Sequence, residues 1–507
     1  MDETPLTKQA DSLFRAGKLS EARALCDQAL GANPRDAEAL HLRGLILQRD
    51  GSALAAIEAF KQAIDINPGA VGYHNNLGVA LQDLGRFAEA EAAYRSALHV
   101  KPNATHVQNN LKRLLARQGV SPQRTARHRK LSDAEAFNDR GIQLYESGDL
   151  DQSLAAFRRA IDLQPSMSNA WNNMGNVLRY LGRLDEAIAA YRRALAIRID
   201  YPDAHQGLGM ALLQSGDFLH GWLEYEWRWK VPSAKPRTFP HPRWAGEDVA
   251  GKTIFVYEEQ GFGDCIQFVR YASLLADRGA RIIVGCRREL ARLISTVPGV
   301  AEIIIGGQVL PRFDLHVPVM SLPLLFDTRL ETVPACVPYF KLARDEIQKW
   351  RLRVGEDSHF HVGLAWRGNP ELATNRIRSI NLSSLSCLAS VPNITFHNLQ
   401  NLPRRQSEQS ALEMSDHSSL LSDFADTAAL ISNMNLVITV DTAVAHLAGA
   451  LGIPTWILIP TASDWRWMIL RSDSPWYSTV RLFRQSTPGR WDDVVSQIHR
   501  DLASLAP

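Results

Sequence analysis

A period of 34 residues constrains this chain more than any other feature. Gly17, Gly51 and Gly85 are 34 apart, and so are Gly148, Gly182 and Gly216. A small residue stands seven positions before each glycine (Ala10, Gly44, Gly78, Gly141, Gly175, Gly209). Alanines follow five and twelve positions after the early ones (Ala22 and Ala29, Ala56 and Ala63, Ala90 and Ala97), and proline often follows at seventeen (Pro34, Pro68, Pro102, Pro165). Such phasing predicts helix–turn–helix units that stack because no single unit can bury its own apolar face. In the second unit the helices are expected over 37–50 and 52–66. The glycine supplies a positive φ at the bend, and the proline ends the second helix.

The marks Trp171, Gly175, Tyr191 and Ala194, with Phe60 or Tyr94 in other units, resemble the tetratricopeptide repeat. The expected division is three repeats plus an extra helix over 3–118, a basic linker over 119–133, and three more repeats over 134–230. The phase break contains seven Lys/Arg from Lys112 to Lys130 and no acid. It lacks interleaved aromatics for stacking bases, so a solvated linker is expected and no nucleic-acid partner. Asparagines recur in the first helices, among them Asn76 and Asn173. Their amides could hold an extended peptide on a concave face, or they could be tolerated at half-exposed positions.

Length and balance bound the rest. A chain of 507 residues with formal net charge +2 holds several domains and calls for no strongly charged partner. The start, MDETPLTKQAD, is not a signal peptide, and the most apolar stretch (443–460) is interrupted by His446, glycines and prolines. Five scattered cysteines without a CxxC pair read as free thiols. The expectation is a cytoplasmic chain without a transmembrane segment, with peripheral association at the inner membrane left open.

Beyond residue 231 the period stops. TIFVY (253–257), RIIVGC (281–286) and AEIIIG (301–306) alternate with helical stretches, as do HVGLAW (361–366), ITFHNLQ (394–400), LVITVD (436–441) and TWILIP (455–460). Alternation of this kind predicts parallel sheets with crossover helices, in two lobes over 251–340 and 358–507 joined by a linker. Ligands of such sheets bind outside the carboxyl ends of strands. Three loops follow from that rule. In EEQGFGD (258–264), Gly261 and Gly263 allow a tight turn, and Asp264 is either a helix cap or a carboxylate able to take a proton from a hydroxyl. At Asp441 and Thr442 a strand meets a helix whose first amides favour an anion. His446, one turn on, is either a ligand contact or a core histidine. In WRGNPELATNRIRS (366–379), Arg367, Arg376 and Arg378 could clamp phosphate or lie on a solvated loop. DWRW (464–467), DSPWY (473–477) and RLFRQ (481–485) are rich in Trp and Arg without an assignable role.

Residues 252–500 resemble a glycosyltransferase of the GT-B fold, nearest the heptosyltransferases of glycosyltransferase family 9, on the DTAVAHLAGALGIPT stretch (441–455) and the GFGD turn (261–264). The implied fold is an all-α repeat solenoid followed by an α/β pair of Rossmann-type lobes. The resemblance implies Asp264 as catalytic base on the acceptor-side lobe. It implies Asp441, Thr442, Ala443 and His446 at the donor site, with Arg376 and Arg378 in the region of the family's phosphate-contacting lysine. It further implies a nucleotide-diphospho-sugar as donor substrate and no separate cofactor. An acceptor protein or glycan would be selected by the repeats. With no Asp-x-Asp pair at a suitable loop, inverting transfer without metal is expected. The alternative is a non-catalytic interaction scaffold carrying a degenerate lobe pair.

Overall fold

The protein's computed structural model describes residues 5–117, 122–355, 357–369, 375–400 and 411–505, without the side chains of 116–132 and Arg376. It comprises two compact units, Met1–Ser132 and Asp133–Pro507.

In the first unit the helices run Pro5–Arg15, Leu19–Ala32, Ala37–Arg49, Ala53–Ile66, Val71–Asp83, Phe87–Val100 and Thr105–Arg117. The bend glycines have φ of +80° (Gly17), +79° (Gly51) and +73° (Gly85), a conformation costly for any residue with a Cβ. The other recurrent small residue has a different cause. A Cβ on Gly44 would lie 2.4 Å from the Phe60 ring, and one on Gly78 would lie 2.6 Å from Tyr94. In the second and third repeats the aromatic nine positions after the bend therefore packs against the glycine seven before it. The same lock recurs in the second unit, where Gly141 faces Phe157 and Gly175 faces Tyr191.

The second unit holds helices Leu150–Leu163, Ser168–Tyr180, Leu184–Ile197, Pro202–Ser215 and Phe218–Tyr225, and then the α/β region. Helical backbone over Pro122–Ser147 occupies most of the stretch expected as a basic linker. The last repeat does not stop at a linker. Phe218 and Trp222 enter one core with Phe268, Trp465 and Trp476, and the Trp222 indole donates to the Thr328 carbonyl at 2.9 Å. The boundary expected at residue 230 therefore separates elements that share an interior.

Two all-parallel sheets follow. The first contains β1 (Thr253–Tyr257), β2 (Arg281–Cys286), β3 (Val300–Ile305) and β4 (Leu315–Pro318) in the order β3-β2-β1-β4. The second contains β5 (Phe360–Ala365), β6 (Ile394–Asn398), β7 (Ser415–Asp416), β8 (Leu436–Val440), β9 (Thr455–Ile459) and β10 (Val480–Arg484) in the order β10-β9-β8-β5-β6-β7. Strands β8 and β9 are buried along their whole length, as expected of sheets covered on both faces. The segment between the lobes is a helix, Arg344–Val354, anchored by buried Trp350, where the sequence suggested a linker. The helical stretch after β1 is two helices, Phe262–Phe268 and Tyr271–Asp277.

Strand order fixes where ligands can approach. In the second sheet the chain runs outward one way through β5, β6 and β7, and the other way through β8, β9 and β10. The reversal lies between β5 and β8, where the crossover helices diverge and leave a crevice at the carboxyl ends. In the first sheet the reversal lies between β1 and β4.

Candidate active site

The carboxyl end of β8 delivers Asp441 and Thr442 to that reversal. Thr442, not Asp441, caps the helix Ala443–Ala450: its Oγ1 accepts from the Val444 amide at 3.3 Å. Asp441 is 5% exposed, and its Oδ2 lies 3.4 Å from Arg378 of the Asn375–Arg378 turn. This pair ties the β5 and β8 loops together. Arg367 follows the end of β5, and its carbonyl accepts from Gln400 at 3.4 Å. Arg376 stands on the same turn as Arg378, with its side chain outside the described residues.

Asp264 arrives from the other lobe. It is the third residue of the Phe262–Phe268 helix and caps its start from inside, its Oδ2 accepting from the Gly261 amide at 2.6 Å. The other oxygen accepts from the buried Arg466 guanidinium. Arg466 also donates to Asp464 Oδ1 (2.8 Å) and to Gln267 Oε1 (2.8 Å). Arg466 and Asp464 sit in the DWRW loop beyond β9, the strand next to β8. The lobes thus meet over a largely buried cluster of Asp264, Asp441, Asp464, Arg378 and Arg466.

The electrostatics of this cluster separate its carboxyls. Burial raises Asp264 above the ordinary carboxylate range, against the pull of Arg466. Asp441 is raised by burial and by the Asp464 charge, against Arg378. For Asp464 burial also pushes upward, but Arg466 outweighs it and the net shift is downward. Carboxyls driven apart in this way are a recurrent mark of acid–base sites and of tight structural ion networks alike.

His446 seals the contact between the lobes. It is 6% exposed, its Nδ1 is 3.0 Å from the Tyr477 hydroxyl, and its ring stacks on Trp467. Burial holds its pKa down at about 3, so the imidazole is neutral. Across from it sits Gly263, where a Cβ would lie 2.7 Å from His446 Cδ2. Only glycine permits that approach.

Of the residues marked from sequence, Gly261, Gly263, Asp264, Arg378, Asp441, Thr442, Ala443 and His446 gather where the two lobes meet. Arg466 and Asp464 were visible only as a Trp- and Arg-rich stretch. Their Asp-x-Arg spacing after a buried strand is the signal that could have marked them. The repeat asparagines lie elsewhere. Asn76 Nδ2 is 2.8 Å from His41 Nε2, and Asn173 Nδ2 donates to Asn138 Oδ1 at 3.1 Å. Each amide links first helices of neighbouring repeats, 35 residues apart.

With this geometry in place, comparison with known proteins is informative. Residues 7–71, 47–117 and 138–202 match the tetratricopeptide repeat. Residues 421–463 match glycosyltransferase family 9 (heptosyltransferase). The chain carries tetratricopeptide repeats and, in its α/β region, a short stretch similar to glycosyltransferase family 9. The family 9 match covers β8, the capped helix and β9, and ends one residue before Asp464. Protein FlbA of Caulobacter vibrioides is 28% identical over 329 residues, which are 58% of this chain and 54% of FlbA. The chain therefore spans about half the length of that relative. Among solved structures, YrrB, titled a TPR protein with an unusual peptide-binding site, is similar at 20% identity, covering 40% of this chain and 90% of YrrB, with a TM-score of 0.22. The first TPR of Spaghetti (RPAP3), solved bound to an HSP90 peptide, is similar at 21% identity, covering 22% of this chain and 90% of that one, with a TM-score of 0.22. Among the described residues no helix is long and apolar enough to cross a membrane.

Proposed function

We propose that the α/β region is a GT-B glycosyltransferase that moves a sugar from a nucleotide-diphospho-sugar to a hydroxyl, with inversion and without metal. The observation that carries this reading is the position of the Thr442-capped helix. It starts at the reversal between β5 and β8, beside Arg378, and opposite the Asp264 helix. The diphosphate would meet the helix start and the arginines Arg367, Arg376 and Arg378. Asp264 would accept the acceptor's O–H proton while that oxygen attacks the anomeric carbon. The bond from that carbon to the diphosphate oxygen breaks, and the leaving group takes the electron pair. A carboxylate has about four lone-pair positions. Gly261 and Arg466 use two of them, which leaves room for a hydroxyl. Donor charge would be balanced by fixed amides and guanidinia rather than by a cation. The repeats would hold a protein or glycan acceptor, and the enzyme would work in the cytoplasm or against the inner membrane.

A second reading has its own observation. Gly263 and His446 are in contact and both Asp264 oxygens are engaged, as in a lobe pair kept only as structure. Thermal shift with UDP-, GDP-, ADP- and CMP-sugars separates the two. The transferase reading expects stabilisation by at least one diphospho-sugar. It expects Asp264→Ala to keep that stabilisation while losing transfer, and turnover to survive EDTA. No shift with any donor leaves the scaffold reading.

A further inference from the structure

A cavity of about 390 Å³ opens between the last repeat and the carboxyl end of β1. Gln206 and Trp229 line one side; Tyr257, Glu258 and Gln260 line the other. The volume falls in the usual range of ligand sites, about 300–1,000 Å³. Two polar atoms here lack partners among the described residues, Glu258 Oε2 and Trp229 Nε1, and both are buried. Glu258 is only 7% exposed, and its other oxygen lies 3.1 Å from Arg287 Nε. An orphan carboxylate oxygen at this depth is costly unless something donates to it.

The occupant can be narrowed by chemistry. The cavity's two unpartnered buried atoms are an acceptor and a donor, so they fit a group carrying an O–H near a carbonyl; Gln206, Ser233, Lys235 and Arg237 also line the cavity. Each of its two aromatic rings has a guanidinium over it. Arg228 and Arg243 lie over Trp229 at 4.9 and 6.0 Å, and Arg237 lies over Tyr257 at 5.6 Å. Lys235 and Arg237 are exposed at the rim, which favours acid beside the hydroxyl. Glu258 also lies six residues before Asp264, so the cavity adjoins the turn that carries the proposed base.

We infer that this cavity is the docking pocket for a hydroxyl-bearing polypeptide segment. Glu258 Oε2 accepts from a Ser or Thr side chain, and Trp229 Nε1 donates to a neighbouring carbonyl. The inference rests on the transferase reading only in naming the segment an acceptor. The test uses the full chain and fluorescent heptapeptide pools, acidic at the flanks, with Ser or Ala fixed at the centre; maltoheptaose is the glycan probe. The Ser pool should bind at least tenfold more tightly than the Ala pool. Glu258→Met should remove that preference and Trp229→Phe should weaken binding of both pools, each leaving the donor-sugar shift unchanged. Trp229→Phe removes the N–H together with the five-membered ring but keeps an aromatic side chain, and it decides the matter if Glu258→Met does not fold. Equal binding of the two pools, wild-type affinity in Trp229→Phe, or binding of maltoheptaose alone would overturn the pocket. A missing donor shift in a protein that still prefers the Ser pool would overturn the transferase reading instead.

Discussion

Gly263→Ala is the sharpest perturbation of the contact between the lobes. The added methyl would sit 2.7 Å from His446 Cδ2, closer than real Cβ contacts allow, and 3.4 Å from Nε2. The ring cannot yield cheaply. Its Nδ1 is held by Tyr477, its face rests on fully buried Trp467, and Tyr477 is itself wedged against Gly449, where a Cβ would lie 2.6 Å away. Overpacking of this kind costs about 1–3 kcal/mol. Replacing glycine by alanine within a helix returns up to about 1 kcal/mol. The expected net loss is about 1–2 kcal/mol, or a fall of several degrees in the melting of the second unit at roughly 2–4 °C per kcal/mol. Gly261→Ala is the internal control. Its φ of −93° suits alanine, and its Cβ would meet only the Asp264 carboxylate tip, at 3.2 Å. Calorimetry of the full chain reads both variants. Coupling to His446 is the stronger test: in a His446→Ala background the Gly263→Ala penalty should shrink by about 0.5–3 kcal/mol. Melting of Gly263→Ala with the wild type, or a penalty independent of His446, would refute the packing argument and with it the close apposition of the Asp264 and Thr442 helices.

Two further outcomes follow from burial. In the repeats, Gly78→Ala should lower the melting temperature because of Tyr94, whereas Gly31→Ala should raise it by up to the equivalent of about 1 kcal/mol. Gly31 is helical and has nothing within 4 Å of its Cβ position, so melting of the two variants separates clash from propensity. The second outcome concerns acid. His397 is buried between His361 (3.0 Å) and His417 (3.2 Å), and burial, then those neighbours, lower its pKa to about 3. The unfolded chain binds this proton below about pH 6.5 and the folded chain does not. Stability is therefore unaffected at neutral pH and declines as pH falls through 6.5 toward 3. The acid-side slope of melting temperature against pH should be shallower in His397→Gln, and an unchanged slope would contradict the assignment.

What the sequence revealed depended on distance along the chain. The repeats were legible because both halves of each lock, a glycine and an aromatic sixteen residues later, fall inside one period. The buried strands were legible as short apolar runs between turns. Strand β4 (LHVP) and the two-residue β7 were too short to register, and Arg344–Val354 hid its single buried anchor, Trp350, among charged residues. The candidate site was half legible. Loops after β1, β5 and β8 could be singled out because parallel sheets place ligands at strand ends, a rule that needs no knowledge of tertiary contacts. The pairing of Asp264 with Arg466 joins residues 202 positions apart, and nothing local announces it.

That pairing changes how Asp264 must be judged. As an isolated loop carboxylate it could be a cap or a base with equal ease. Held by Arg466 and the Gly261 amide, it is fixed in direction, and burial raises its pKa while the guanidinium restrains the rise. A general base needs both a fixed direction and a proton affinity above that of a free carboxylate. A cap needs neither Arg466 nor Asp464. A buried arginine whose carboxylate partners come from both lobes is a tie between the lobes that helix capping alone does not require.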